Sequence, residues 1–587
     1  LLAYGFWASS SFQDISAGVA LFLFGMFCME QGFKIFSGSG LQRLLAASTN
    51  RLWKSLSFGI VATTLMQSSS LVSVLTISFL SAQLLGLAQG IGIVFGANLG
   101  TTTGAWIVAG FGLKVKISAY AMPLLVFGVI LLNRASDRSK GIGWILIGVA
   151  FLFLGIHFMK EGFDAYAQTI ELTQYAIPGI AGLLIFTLVG ILATVVMQSS
   201  HATMTLIITA LAASQITYEN ALALAIGANV GTTVTAVLGA LGANISGKRL
   251  AAAHLIFNLL TGVVALVLIL PLQLVVNAVS DAVGIAADNY TLKLAVFHTL
   301  FNLLGVLLML PMIDRMVAFL EKNLRQDATG YDTPRYLSNS ALEVPAVALH
   351  AGIQETRHLF NNAKTLIAHG ACLKRSMIAG SEDLQLLIEP RGDIITIDID
   401  DSYNKMIRDI HGTTITFLSK AQARAKEDVS PALTKLSKAN NEALEAIKAV
   451  KHLRKNLVRH MRSDNRQLRR EYNRFRVRIA SVLRDLRVLD DTDDASLRLL
   501  ALDQIKVGAR NMEQETQRNI DRLIRTGSVS TDLATSLVND SNYTKIVVDS
   551  LIDMTKAWNK AILSDDNLEE ILSLDPEEIE AIARQVH

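Results

Sequence analysis

The chain has 587 residues, 51% of them hydrophobic and 18% charged, with a formal net charge of +3. So small and two-signed a charge excludes a nucleic-acid binder, which carries a one-sided basic surface. Its two cysteines, Cys28 in an apolar segment and Cys372 in a charged one, exclude a disulfide framework.

Charge divides the chain. Residues 1–324 hold 11 acidic and 15 basic residues, against 39 and 38 in residues 325–587. Apolar runs in the first part are long enough to cross a hydrocarbon core of roughly 30 Å, so it reads as a membrane domain, 1–325. The sequence opens at Leu1 without an initiator Met and shows no positively charged leader with a cleavage site, so the first helix is expected to be retained. In chain order, crossings are predicted at 16–36, 88–112, 117–133, 143–160, 218–242, 250–277 and 292–316. The runs 55–82 and 179–213 are interrupted in mid-course by Gln-Ser-Ser, which predicts two re-entrant hairpins rather than through-going spans.

One block is duplicated. Met66-Gln67-Ser68-Ser69 returns as Met197-Gln198-Ser199-Ser200, and Gly96-Ala97-Asn98-Leu99-Gly100-Thr101-Thr102 returns as Gly227-Ala228-Asn229-Val230-Gly231-Thr232-Thr233, both 131 positions on. Upstream, Gly25, Met29, Gly32 and Phe33 align with Gly155, Met159, Gly162 and Phe163 at an offset of 130. The repeats therefore cover about 16–133 and 143–277, with an extra span at 292–316. Three crossings and one hairpin per repeat invert the second copy. Such a duplicated unit with broken helices points to a secondary transporter, its site where the halves meet.

Arg43, Arg51 and Lys54, then Arg134, Arg138 and Lys140, then Lys248 and Arg249 fall on one side, that of the C-terminal part. The segments 161–178, 214–217 and 278–291 carry no Lys or Arg. By the positive-inside rule the first side is cytoplasmic, with Lys114 and Lys116 against the trend.

Polar residues inside apolar sequence are costly unless they line a cavity or pair. A half-helix starting within the membrane offers free N–H groups and roughly half a positive charge, which suits an anion; Ser68, Ser69, Ser70, Ser199 and Ser200 add hydroxyls. Gln67 and Gln198 donate through NH2 and accept through oxygen, so either can bridge an anion and a cation. No Lys or Arg lies in either hairpin, so a multiply charged anion needs a partner cation. Oxygens of Gln67, Asn98, Thr101, Thr102, Gln198, Asn229, Thr232 and Thr233 suit sodium. Ser, Thr and Gly in membrane helices also serve packing, but packing does not account for duplicated Gln and Asn.

On these residues, 16–320 resembles the type II sodium-dependent phosphate cotransporter family, through Gln67-Ser68-Ser69-Ser70 and the variant Gln198-Ser199-Ser200-His201. The resemblance implies inverted repeats, sodium coupling and inorganic phosphate between the hairpin turns. His201 departs from the signature, and Thr203 or Thr205 is the expected substitute for its missing hydroxyl. Residues 345–587, after a linker at 326–344 that includes Tyr331 to Leu337, resemble PhoU-like helical domains. Heptad-like spacing predicts a bundle with helices in 345–373, 400–426, 434–462, 465–490, 494–526 and 530–561. Asp398, Asp400, Asp401, Glu513 and Glu515 form no repeated metal motif and read as solvated faces. Regulation, through a partner protein or self-association, is implied by resemblance.

Several further motifs remain. Gly242 to Lys248 spells GxxxxGK, but Arg249 stands where a P-loop needs Ser or Thr. Asn289 heads a sequon. His254 with Asn258 and His298 with Asn302 each share a helix face and suggest polar contacts between neighbouring helices. His157 and Glu161 offer a cation site or an edge-of-membrane pair.

The expectation is an all-α polytopic protein of the plasma (inner) membrane, with no enzymatic activity and no cofactor. It would act as a sodium:phosphate symporter by alternating access, with its bundle in the cytoplasm. A phosphate exporter, a carrier of another oxyanion and a phosphate-responsive regulator without flux stand as alternatives.

Overall fold

The computed structural model describes residues 5–7, 9–36, 51–112, 117–167, 177–325, 331–389, 392–425, 429–492 and 495–573, and every regular element among them is helical. Arg43, Lys114 and Lys116, part of the 161–178 segment and the start of the linker lie outside these residues. The chain forms two compact units, Leu1–Gln326 and Asp327–His587.

In the first unit, α1 (Ser10–Phe36) and α6 (Asp137–Ala167) are the equivalent helices of the two repeats. They pack through glycines spaced by seven. A Cβ on Gly18 would lie 2.7 Å from the Gly155 carbonyl, one on Gly25 2.7 Å from that of Gly148, and one on Gly32 2.7 Å from that of Gly141. As residue numbers rise on α1 they fall on α6, so equivalent helices run antiparallel. That is inversion of the repeat, read from contacts. Backbones meet this closely only where side chains are absent, the usual basis of helix association in lipid.

Each hairpin is a broken helix. Helix α2 (Leu52–Met66) ends at Gln67, in the left-handed region with φ 51°, and α3 (Ser69–Ser81) starts two residues later. Helix α7 (Gly179–Met197) ends at Gln198, φ 53°, ahead of α8 (Ser200–Ala212). The far ends repeat as well: Gln83 and Ser214, 131 apart, have φ 61° and 56°. Non-glycine residues in this region cost about 1–3 kcal/mol each, so four at matched positions mark a conformation the surroundings impose. First arms lie outside, with Trp53, Val61 and Leu65 exposed on α2 and the matching Leu184, Leu192 and Val196 exposed on α7. Second arms are almost wholly buried.

The next helices, α4 (Leu87–Ile107, extended by a π-helical turn Val108–Gly112) and α9 (Tyr218–Gly231), pack on those first arms. Gly100 faces the Ile60 carbonyl and Gly231 that of Ile191, at 2.7 and 2.8 Å from an added Cβ. The motif's paired glycines are therefore packing residues. Between these elements lie α5 (Ile117–Leu132) and, after α9, α10 (Thr233–Ala240), α11 (Ile245–Val267), α12 (Ile269–Ala282), α13 (Tyr290–Met309) and α14 (Ile313–Asn323).

Seven described helices are long and apolar enough to cross a membrane, giving a multi-pass membrane unit. Their identities differ from expectation in two places. The first arm Gly179–Met197 reaches spanning length, while 117–133 forms only a shorter apolar helix. The expected crossing 250–277 is two helices broken at Leu268, since Pro271 cannot donate to the ladder and fits only the first turn of α12.

The second unit is a helical bundle: α15 (Pro345–Gly370), two short helices α16 (Arg375–Ala379) and α17 (Leu384–Ile388), α18 (Ile399–Met406), α19 (Arg408–Arg424), α20 (Ser430–His460), α21 (Arg466–Asp490), α22 (Ala495–Arg525) and α23 (Thr531–Ser573). The predicted helix 400–426 is broken at Ile407, and periodicity missed both short helices. Helix α15 ends on Cys372, φ 55°, and its last carbonyls are capped by arginines. Arg454 donates to His369 and Gly370 at 3.1 Å, and the fully buried Arg476 to Cys372 at 2.8 Å. Cations at a helix C-terminus answer its dipole.

Candidate functional site

At each break the hydroxyl after the left-handed Gln caps the next helix. Ser68 Oγ accepts from the Leu71 N–H at 3.2 Å, and Ser199 Oγ from the Ala202 N–H at 3.1 Å. This leaves the N–H groups of Ser69 and Ser70, and of Ser200 and His201, without intrahelical acceptors. Ser69, Ser199 and Ser200 are buried. Two helix N-termini with free donors thus face buried space.

The glutamines differ. Gln67 is buried, and its amide N–H groups go to the Thr64 carbonyl at 2.5 Å and Thr103 Oγ1 at 3.3 Å, leaving its amide oxygen as the group for a ligand. An oxygen suits a cation, not an anion, so of the two roles expected of Gln67 only the acceptor remains open. Gln198 is exposed.

Third positions cross between repeats. Ser70 Oγ bonds Thr235 Oγ1 on α10 at 3.1 Å. His201, its counterpart, sits against Gly104 of α4, lies near the Gln67 backbone, and packs on Phe22 with ring centroids 5.6 Å apart. Thr203 and Thr205 do not replace the missing hydroxyl: the first bonds Thr194 at 2.9 Å and the Ser199 carbonyl, the second the His201 carbonyl, all inside the hairpin.

Among the residues expected to hold sodium, Asn98, Thr101, Thr102, Thr232 and Thr233 each donate to a carbonyl three or four residues back in the chain, at 2.8–3.1 Å. Their oxygen lone pairs stay available. Asn229 is different. Its amide donates to Asn302 at 2.7 Å and Asn258 at 3.4 Å, and its oxygen meets His298 Nε2 at 3.2 Å. The paired His/Asn motifs thus join α9, α11 and α13 through their asparagines. Sequence reasoning missed Thr103, Gly104 and Thr235, although all three follow the duplicated motif by one or two residues.

The other motifs have local roles. Asn244, within GxxxxGK, caps α11 and donates to the Ser81 carbonyl at 2.9 Å. His157 and Glu161 form an i,i+4 pair at 3.4 Å. Asp398 caps α18, and Asp400, Asp401 and Glu513 pair with Lys451, Lys405 and Lys545.

A family model described as Na+/Pi-cotransporter matches residues 21–161 and 181–309. The protein YjbB of Escherichia coli (strain K12), named for inorganic phosphate export, is 31% identical over 346 residues, 58% of this chain and 61% of the relative. Its Salmonella typhimurium (strain LT2) namesake is 30% identical over 345 residues, with the same coverage. YqeW of Bacillus subtilis (strain 168), whose name carries no function, is 26% identical over 311 residues, 51% of this chain and 94% of the relative. The chain thus matches about three fifths of the length of its YjbB relatives. No solved structure matches.

Proposed function

The membrane unit of this chain belongs to the Na+/Pi-cotransporter family, and from that premise we propose that the protein is a secondary active carrier of inorganic phosphate coupled to sodium. One observation carries the reading: two broken hairpins in inverted repeats, each presenting a serine-capped helix N-terminus and each docked on the opposite repeat, Ser70 on Thr235 and His201 on Gly104. Free backbone N–H groups and the hydroxyls of Ser69, Ser70 and Ser200 would cradle phosphate. Phosphate carries between one and two charges, and two helix ends worth about half a charge each neutralise it incompletely. Sodium at the Gln67 oxygen and the Asn/Thr clusters supplies the remainder, so each ligand raises the other's affinity by one factor.

Proteoliposomes holding the purified full chain test this. Phosphate uptake should follow an inward sodium gradient and collapse when choline replaces sodium. Uptake indifferent to sodium would rule out the coupling, and no flux at all would favour a phosphate-responsive regulator. The relatives named for export favour a second reading of direction, in which the same cycle discharges phosphate outward. Efflux from loaded vesicles under a reversed gradient distinguishes it. The bundle is assigned to the cytoplasmic side of the plasma membrane, on the side of Arg51, Lys54, Arg134, Arg138, Lys140, Lys248 and Arg249.

A further inference from the structure

Among the positions where the two repeats differ, one facing pair differs reciprocally. Ser70 corresponds to His201 and Thr235 to Gly104, at the common offset of 131. In one interface two hydroxyls meet at 3.1 Å. In the other, both residues have changed: the hairpin side chain has become a ring, and the residue facing it has lost its side chain altogether. A Cβ restored at Gly104 would run into the His201 ring. A buried Ser→His exchange alone would overpack the site, at a cost of typically 1–3 kcal/mol, so the two positions act as one fitted pair.

Resting on the phosphate-carrier reading, we propose that His201 is a positioning residue, acting through Gln67, and that Gly104 is the complement that admits it. What the ring adds is reach. Gln67 ends α2 in the left-handed region, so its carbonyl leaves the helical ladder and comes within reach of the His201 ring from the other hairpin. The Gln67 N–H already bonds the Thr63 carbonyl at 2.8 Å, and its side-chain amide is held by Thr64 and Thr103. The backbone N–H and the side-chain amide N–H groups of Gln67 are thereby fixed, and its amide oxygen is left open. Phe22 backs the ring. Gln198 is exposed, and its counterpart contact is taken by Ser70 with Thr235 instead. The site therefore has one preorganised acceptor, on the Gln67 side, and a ligand oxygen held rigid by its neighbours binds at lower entropic cost.

The test compares His201→Ser, Gly104→Thr, the double variant and His201→Gln in proteoliposomes. Both the sodium dependence of phosphate uptake and the melting temperature of each purified protein are read. Gly104→Thr alone should lower melting temperature and flux, because the threonine meets the ring. The double variant rebuilds the Ser70–Thr235 type of contact and should regain melting temperature and maximal rate, yet keep a sodium half-saturation raised at least fivefold. His201→Gln retains an N–H donor and should recover most of that loss. A double variant with wild-type sodium dependence would show that the ring only fills space, and one that fails to regain stability would overturn the fitted pair. If the unmodified protein carries no phosphate, the carrier reading fails instead, and the four melting temperatures still judge the pairing.

Discussion

Ser68 and Ser199 hold the first turns of α3 and α8 through their side-chain oxygens, so neither is a clean probe of ligand binding. Replacing either with alanine should cost about 1 kcal/mol of cap energy and lower melting temperature as well as affinity. Ser69→Ala and its true counterpart Ser200→Ala should weaken phosphate with little change in melting, as titration calorimetry alongside thermal unfolding can check. Gln67→Ala removes the one acceptor left at that tip. It should raise the sodium half-saturation about tenfold and, through coupling, weaken phosphate by a like factor; a change in phosphate alone would contradict the cation role. In the bundle, buried Glu355 accepts the Arg335 and Tyr336 N–H groups at 2.8 Å, and His358 bridges it to Asp332 at 2.8 and 2.9 Å. Burial alone would raise the Asp332 carboxyl, but hydrogen bonds from Asn362, His358 and Arg335 outweigh it and hold it below its ordinary value. A lowered carboxylate stabilises above that value and loses its contribution as pH falls through the folded one. Docking of residues 331–337 on α15 should therefore lose the Asp332 contribution as pH falls below the ordinary value of 3.8; Asp332→Asn should remove that part of the acid limb, as hydrogen exchange corrected for intrinsic rates would show.

Helices in this protein are placed by backbone contact as much as by side chains. The α1–α6 seam has no room for a branched residue: a Cβ on Gly25 lies 2.6 Å from the Leu152 nitrogen, inside contact distance. Gly25→Leu and Gly148→Leu should each prevent the pair from closing and deplete folded monomer in detergent several-fold. Gly179→Ala, where an added Cβ meets nothing, carries only the strain of φ 73° and should cost about 1–2 kcal/mol. A size-exclusion and melting series separates the two. In the bundle, Arg476→Met would leave the carbonyls of Ala371 and Cys372 unsatisfied, a loss of about 2–4 kcal/mol. It should appear as faster hydrogen exchange at 368–373 before any change elsewhere.

At the scale of the molecule, the units Leu1–Gln326 and Asp327–His587 each have their own core. We propose that they are separable: a chain ending near residue 340 should insert, remain monodisperse and bind phosphate in a sodium-dependent way, with altered regulation of flux. Loss of folded membrane protein on truncation would place the boundary elsewhere. Inversion of α1 against α6 sets the two hairpin breaks on a common approximate two-fold, which a carrier needs if each half is to open in turn. The reciprocal exchange at His201 and Gly104 makes that two-fold unequal where each hairpin docks on the opposite repeat.

The sequence by itself determined the helical class, the membrane unit, the duplication, both helix breaks and the residues at them, because apolar run length and repeated polar residues are local signals that need no partner to be read. Only the tertiary structure decided what those residues do. Periodicity cannot tell that Gly100 and Gly231 serve packing, that Ser68 and Ser199 are caps, or that Gln67 has one free oxygen while Gln198 is exposed. The arm Gly179–Met197 has the length and hydropathy of a span, so only the polar break at Gln198 marks it as half of a hairpin. Side-chain hydrogen-bond partners are set by which helices meet, and the antiparallel fit of α1 on α6 and the crossing of Ser70 and His201 into opposite repeats join residues more than 90 apart in the chain.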